Sequence, residues 1–328
     1  MAVLGIESTA HTLGIGIVDT SGQILADIKS VYTPQEGGIH PREAAEHHQR
    51  NVLAVLQEAF EQSGLLSTQL KGIAFSQGPG LPPALRIGAV LARSLARSLD
   101  VPLLGVNHCV AHIEQARFFT EAKHPLVIYL SGGNTQITTL AAHRYRIFGE
   151  TLDIALGNML DMFAREANLA HPGGPKIEQL AKQAKNGYHV LPYTVKGMDL
   201  AFSGLLTAAK HLLENGVPLE EACYSLQETA FSMVAEVSER ALAHTQRNEM
   251  IVTGGVAANS RLKEMLQIVA EEHSAQFASV PPKYAGDNGT MIAYNGLLLL
   301  QSGGQTSFSE SMILPKWRLD QVDIPWEA

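Results

Sequence analysis

The chain writes out one run of elements twice, and that repetition limits the folds open to it. Val3-Leu4-Gly5-Ile6 is an apolar strand, and Glu7-Ser8-Thr9-Ala10-His11-Thr12 is a hydroxyl-rich turn. Leu13-Gly14-Ile15-Gly16-Ile17-Val18 returns as a second strand, and a third covers residues 23–30 after the turn cluster Asp19-Thr20-Ser21-Gly22. Just past Pro125 the pattern restarts. Leu126-Val127-Ile128-Tyr129-Leu130 is a strand, Ser131-Gly132-Gly133-Asn134-Thr135 a polar turn, Gln136-Ile137-Thr138-Thr139-Leu140 the return, and Tyr145-Arg146-Ile147-Phe148 the third strand. No literal repeat accompanies this, only the supersecondary pattern. Helices separate the strands: residues 41–63 carry Ala45, Val52, Val55, Leu56 and Ala59 at helical spacing, residues 84–99 form another, and one starts near Asn107-His108. Alternating strands and helices predict an α/β chain of two duplicated domains, 1–124 and 125–328, with a helical insertion at about 149–217. With 328 residues and 45% hydrophobic content, each half can bury its own core.

Charge and cysteine usage narrow the classes. Lys and Arg number 24 against 32 Asp and Glu, a net charge of −8, which argues against a chain that grips nucleic acid over a broad basic face. Cys109 and Cys223 alone make no disulfide framework. The first residues lack the basic n-region and long apolar core of a signal peptide, and the apolar run at 296–300 is too short to span a bilayer. A cytoplasmic protein without a membrane partner is expected.

Three motifs carry chemistry. The turns at Ser8-Thr9 and Ser131-Gly132-Gly133-Asn134 can present backbone N–H groups and hydroxyls to an anion. Either alone reads more readily as an ordinary hairpin turn; their duplication favours a polyphosphate cradle. Val252-Thr253-Gly254-Gly255-Val256-Ala257-Ala258-Asn259 runs from strand through a double glycine to a helix expected near Ala258, where a ligand can meet the positive helix end. It is neither a Walker A loop nor a GxGxxG fingerprint. His108 and His112, four apart, project from one helix face and can share a metal ion, with Asp287 in Tyr284-Ala285-Gly286-Asp287-Asn288-Gly289 a candidate carboxylate. Cys109 stands where the general-base glutamate of His-Glu-x-x-His would be, so a metallopeptidase would lack its base. His40, His47 and His48 read as a solvated helix face, Gly173-Gly174-Pro175-Lys176 as a loop that either contacts ligand or caps a helix, and Asp153, Asp161 and Asp199 as scattered acids without acid/base spacing.

Taken together, Gly5-Ile6-Glu7-Ser8-Thr9-Ala10-His11-Thr12, Gly38-Ile39-His40-Pro41, Ser76-Gln77-Gly78-Pro79-Gly80, Val106-Asn107-His108-Cys109-Val110-Ala111-His112, Tyr129-Leu130-Ser131-Gly132-Gly133-Asn134-Thr135, Phe202-Ser203-Gly204-Leu205 and Asp287-Asn288-Gly289 resemble one family. It is the archaeal and eukaryotic type of tRNA threonylcarbamoyladenosine transferase, the catalytic subunit of the KEOPS complex. The resemblance implies an actin-like ATPase (ASKHA) fold, two duplicated domains around a nucleotide cleft. It implies His108, His112 and Asp287, with Tyr129, as ligands of one divalent iron or zinc ion. Tyr129, Leu130, Ser131, Gly132, Gly133, Asp161, Gly174, Glu178 and Asn259 would line a pocket for ATP, AMP or threonylcarbamoyl-adenylate. The implied partners are a kinase-like ATPase, a small dimerising subunit and a tRNA-binding subunit, with tRNA held mainly through the complex. Two departures are Pro82, where glycine is usual and which is expected to stiffen a loop, and Ala285, where many members have cysteine. Other classes on the same fold are a phosphotransferase such as a sugar kinase, which needs an acid to deprotonate a hydroxyl, and a nucleotide-gated scaffold.

Overall fold

The computed structural model describes residues 1–34, 38–184 and 187–327; Gly37, expected in the loop before Pro41, lies outside them. Contacts gather the chain into two compact units, Met1–Gln115 with Ala142–Arg144 and Asp287–Ala328, and Ala116–Ala141 with Tyr145–Gly286. The first unit begins with strands β1 (Ala2–Glu7), β2 (Thr12–Asp19) and β3 (Ile24–Val31), then helix α1 (Pro41–Ser63), β4 (Leu70–Gly78), α2 (Pro82–Leu99), β5 (Leu103–Asn107) and α3 (His108–Thr120). Its sheet has the order β3-β2-β1-β4-β5. The meander β1 to β3 is antiparallel, whereas β1, β4 and β5 run parallel. Alternation along β1 sends Leu4 and Ile6 into one core with Val55 and Ala59 of α1 and Ala89 and Ala92 of α2, and sends Val3 to the opposite face. Burial on both faces explains why β1 reads as a continuous apolar run.

The second unit repeats the plan. Strands β6 (Leu126–Leu130), β7 (Thr135–Ala141) and β8 (Arg144–Glu150) are followed by α4 (Leu156–Glu166), α5 (Gly173–Ala181), the short ribbon β9 (Val195–Lys196) and β10 (Asp199–Leu200), α6 (Ser203–Glu214) and α7 (Leu219–Thr245). Then come β11 (Glu249–Thr253), α8 (Ser260–Glu272), β12 (Gln276–Ser279) and α9 (Pro282–Ala285). The sheet order, β12-β11-β6-β7-β8, is that of the first unit written from the other edge, and β6, β11 and β12 are again parallel. Leu126, Ile128 and Leu130 share a core with Met159, Phe163, Phe231 and Leu266. The expected insertion holds α4, α5, α6 and the ribbon.

The last helix, α10 (Gly289–Gln301), departs from the expected division at 124/125. From Asp287 onward the chain belongs to the first unit, because α10 lies directly on the face of β1 and β2. Glycine makes that approach possible: a Cβ on Gly16 would sit 2.3 Å from the backbone nitrogen of Thr290, and one on Gly289 would sit 2.1 Å from that of Gly16. Two further expectations change. Pro82 opens α2 at its first turn, where a missing N–H costs no hydrogen bond, instead of stiffening a loop. His48 is fully buried, with Nε2 3.1 Å from the carbonyl oxygen of Ala10, so it is no part of a solvated face. Burial first, and His47 beside it, push its pKa down to about 4.

Two outcomes follow for stability. Gly16→Ala is expected to destabilise by ~1–3 kcal/mol or more, read as a lowered thermal midpoint, because the new methyl meets backbone that cannot swing away. For His48, folding disfavours the protonated form, so its contribution weakens as pH falls from 6.5 towards about 4. The loss approaches about 3 kcal/mol by pH 4. His48→Gln, which keeps a donor for Ala10, should flatten the denaturation profile across that window; an unchanged slope would exclude His48 as its source.

Candidate functional site

In the first unit, the carboxyl ends of the parallel strands carry the reactive groups, as is usual for open α/β sheets. Glu7 ends β1, and His108 follows β5 directly as the first residue of α3. Asn107 starts that helix by accepting the Cys109 and Val110 N–H groups at 3.0 and 3.2 Å. One turn on, His112 projects from the same face, with the two imidazoles edge to face at 4.7 Å. Asp287 arrives from the segment before α10. Its Oδ1 is 3.2 Å from His112 Nε2 and 3.6 Å from His108 Nε2. One potential ligand atom from each of the three lies within 4.8 Å of the others. The sequence-predicted trio is therefore assembled. Glu7, to which the sequence reading gave no role, is fully buried and lies 3.0 Å from His108 Nδ1. Its other oxygen accepts the Thr9 N–H at 2.6 Å and the Thr9 hydroxyl. The available signal was its place: an acid closing the central apolar strand.

Burial alone would depress His108, but the Glu7 carboxylate, followed by Asp287, outweighs it and carries the imidazole up to about 9. Burial also dominates at His112 and lowers it in spite of Asp287. Desolvation opposes ionisation of Asp287, yet the two histidines hold it well below the usual carboxylate range. A largely neutral imidazole, a second whose Nδ1 is engaged by a carboxylate while Nε2 faces Asp287, and an ionised carboxylate form a mixed N,N,O set. That set suits zinc or ferrous iron, and Glu7 supplies the carboxylate–histidine support common behind such ligands.

The second unit brings most of the expected nucleotide residues to the corresponding end of its sheet. Gly254, at φ +92°, turns the chain after β11 so closely that a Cβ would lie 2.3 Å from the Leu130 carbonyl oxygen. The Gly157 N–H donates to Ser131 O at 3.2 Å. Asp161 Oδ1 accepts the Gly173 N–H at 2.7 Å, and Glu178 Oε1 accepts the Ser260 N–H at 3.1 Å. The amino end of α4 is thus tied to Ser131, that of α5 to α4 and that of α8 to α5. Gly132 and Gly133 are exposed, and open space surrounds the Cβ position of each. Gly174 has only the Leu160 side chain near its Cβ position, at 4.0 Å. The turn spends part of its own polarity, since Ser131 Oγ accepts the Gly133 and Asn134 N–H groups at 3.3 and 3.1 Å. Asn259 caps α8, its Oδ1 accepting the Arg261 and Leu262 N–H groups at 2.9 and 3.1 Å. The Leu130 side chain belongs to the core, and Tyr129 is fully buried in β6. Helix α8 begins at Ser260 after a short 3-10 turn over Gly255–Ala258, two residues later than expected. Asp153 accepts the Phe202 and Ser203 N–H groups at the start of α6, each at 2.9 Å, and Asp199 of β10 accepts that of Glu150 at the end of β8 at 3.1 Å, so both acids hold neighbouring elements together.

A sequence model described as TsaD: tRNA N6-adenosine threonylcarbamoyltransferase matches residues 23–294. A tRNA N6-adenosine threonylcarbamoyltransferase of Archaeoglobus fulgidus is 51% identical over 327 residues, covering 100% of both chains. A probable bifunctional tRNA threonylcarbamoyladenosine biosynthesis protein of Methanothermobacter thermautotrophicus is 53% identical over 326 residues, 99% of this chain and 61% of that one. The chain thus spans about 60% of the length of such bifunctional relatives. Among solved structures, HypF of T. kodakarensis superposes with a TM-score of 0.67 at 18% identity, over 95% of this chain and 49% of that one. The (R)-2-hydroxyglutaryl-CoA dehydratase component A of Acidaminococcus fermentans gives 0.56 at 13% identity, over 90% and 98%. These likenesses show the fold, which is of the actin-like ATPase (ASKHA) type.

The metal-free chain should therefore show pH-linked metal uptake. A proton on His108 competes with a cation for Nε2, so apparent Zn²⁺ affinity rises with pH up to about 9. The same raised pKa stabilises the metal-free fold below pH 6.5, and that contribution is lost as pH rises through about 9. Histidine-selective NMR titration of the metal-free protein should place His108 near the upper value and show it fall in Glu7→Gln. An ordinary titration in both proteins would contradict the role given to Glu7.

Proposed function

Because the chain belongs to the tRNA N6-adenosine threonylcarbamoyltransferase family, we propose that it moves the threonylcarbamoyl group of threonylcarbamoyl-adenylate onto N6 of the adenosine 3′ to the anticodon in tRNAs reading ANN codons. The observation that carries this reading is the convergence of the buried His108 and His112 with the part-buried Asp287, in a chain that matches a named transferase over its length. In the first unit these three side chains would hold one iron or zinc ion, which when bound supplies a Lewis acid for a phosphate or carbonyl oxygen. Glu7 keeps the His108 ring oriented and its Nε2 turned towards Asp287. In the second unit Tyr129 to Gly133, Asp161, Gly174, Glu178 and Asn259 would line the site of the adenylate half, where turn N–H groups and helix amino ends favour an anion. The N6 amine attacks the carbamoyl carbon, the bond from that carbon to the phosphate oxygen breaks, and AMP leaves. The amine proton passes to solvent or to the departing phosphate.

The acidic balance, 24 cationic against 32 anionic side chains, supports a grip on tRNA that lies mainly in other chains. The proposed setting is a cytoplasmic KEOPS complex with a kinase-like ATPase, a small dimerising subunit and a tRNA-binding subunit. No described helix is long and apolar enough to cross a membrane.

Mass spectrometry of tRNA nucleosides after incubation with threonine, bicarbonate, ATP and the partner proteins should show threonylcarbamoyladenosine. His108→Ala is expected to lower its yield by ~100-fold or more, the scale of losing metal assistance. Undiminished transfer by that variant, with the metal demonstrably gone, would remove the metal from the account. In a filter-binding titration the isolated chain should hold tRNA weakly; tight, salt-sensitive binding would contradict the partner dependence.

A further inference from the structure

The ligands do not by themselves explain how the trio keeps its spacing. His108 and His112 lie on α3, and Asp287 precedes α10. Between Gln115 and Asp287 the chain lies outside the first unit except for the short segment Ala142–Arg144. Closing so long a loop is entropically unfavourable, and covalent connection alone would let its ends drift apart.

A buried amide pair stands where the chain leaves and returns. Gln115 is three residues beyond His112, on the same face of α3. Its Nε2 donates to Asn288 Oδ1 at 3.2 Å and to Thr290 Oγ1 at 2.7 Å. The Asn288 Nδ2 donates back to Gln115 Oε1 at 3.1 Å. Asn288 adjoins Asp287 and also starts α10, its Oδ1 accepting the Met291 N–H at 2.9 Å and the Thr290 hydroxyl at 2.6 Å. All three polar side chains are buried. An amide pair bonded in both directions is directional, as apolar packing is not, and separating it would strand buried donors and acceptors.

We propose that the Gln115–Asn288 pair is the positioning device of the metal centre, locking the register between α3 and the Asp287 segment so that His112 and Asp287 converge before any ion arrives. Neither amide touches the ion. The proposal rests on the metal-binding reading of the trio.

The test is Zn²⁺ affinity of the metal-free full chain against a chromophoric chelator, with Co²⁺ absorption reporting coordination. Gln115→Met keeps the side-chain length and removes the clamp. It should weaken Zn²⁺ binding by ~10–100-fold, as loss of a supporting shell does, and alter the Co²⁺ spectrum. Val55→Ala, on the core-facing side of α1, should lower thermal stability without moving either reading, which separates positioning from stability. If Gln115→Met fails to fold, Gln115→Glu is read in its place. It keeps the acceptor for Asn288 Nδ2 and should lose up to ~10-fold. Wild-type affinity and spectrum in a folded Gln115 variant, while His108→Ala loses the metal, overturn the clamp alone. If His108→Ala also binds as wild type does, the metal reading fails and the clamp with it.

Discussion

The seat of α10, into which the segment bearing Asp287 leads, depends on Gly16 and Gly289 having no side chains. Their backbones meet at a distance no Cβ would tolerate, which seats α10 on the face of β1 and β2 and carries the residues before it to the end of the first sheet. The properties of the trio that involve Asp287 depend on that seat. The 3.2 Å approach of Asp287 to His112, the depressed carboxyl of Asp287 and part of the raised pKa of His108 all require the returning chain to lie where it does. A methyl group at either glycine would move the acid before it touched any ligand.

The two units place their chemistry by the same rule. In each, the first strand of the meander becomes the central strand of a five-stranded sheet, and the polar turn after it lies where parallel strands end. The rule serves different ends. The first unit places a buried acid that supports an imidazole there, whereas the second leaves two exposed glycines in the turn beside the amino end of α4.

How much of this was legible in the sequence depended on whether the signal was local. Strand alternation and Ser/Gly turns are local, so the duplicated meander and the helix bearing His108 and His112 could be read directly. Asp287 was found as a candidate carboxylate, but its return to the first unit was hidden, because that rests on glycines far apart in sequence that meet only in the fold. The burial of His48 is hidden for a similar reason: its neighbours on α1 are polar, and only the fold reveals the Ala10 carbonyl it faces. Asn259 and Asp161 cap helices, a role that residue type allows but spacing alone did not separate from ligand contact. Glu7 lay inside a quoted motif, yet its partner is about a hundred residues away in sequence.

The most direct measurement is anomalous diffraction from crystals of the full chain grown with Zn²⁺ or Fe²⁺. The account predicts one ion bonded to His108 Nε2, His112 Nε2 and Asp287, at the ~2.0–2.2 Å distances of nitrogen and oxygen ligands. An ion held by other residues, or a trio that stays empty at saturating metal while the protein transfers threonylcarbamoyl to tRNA, would contradict it.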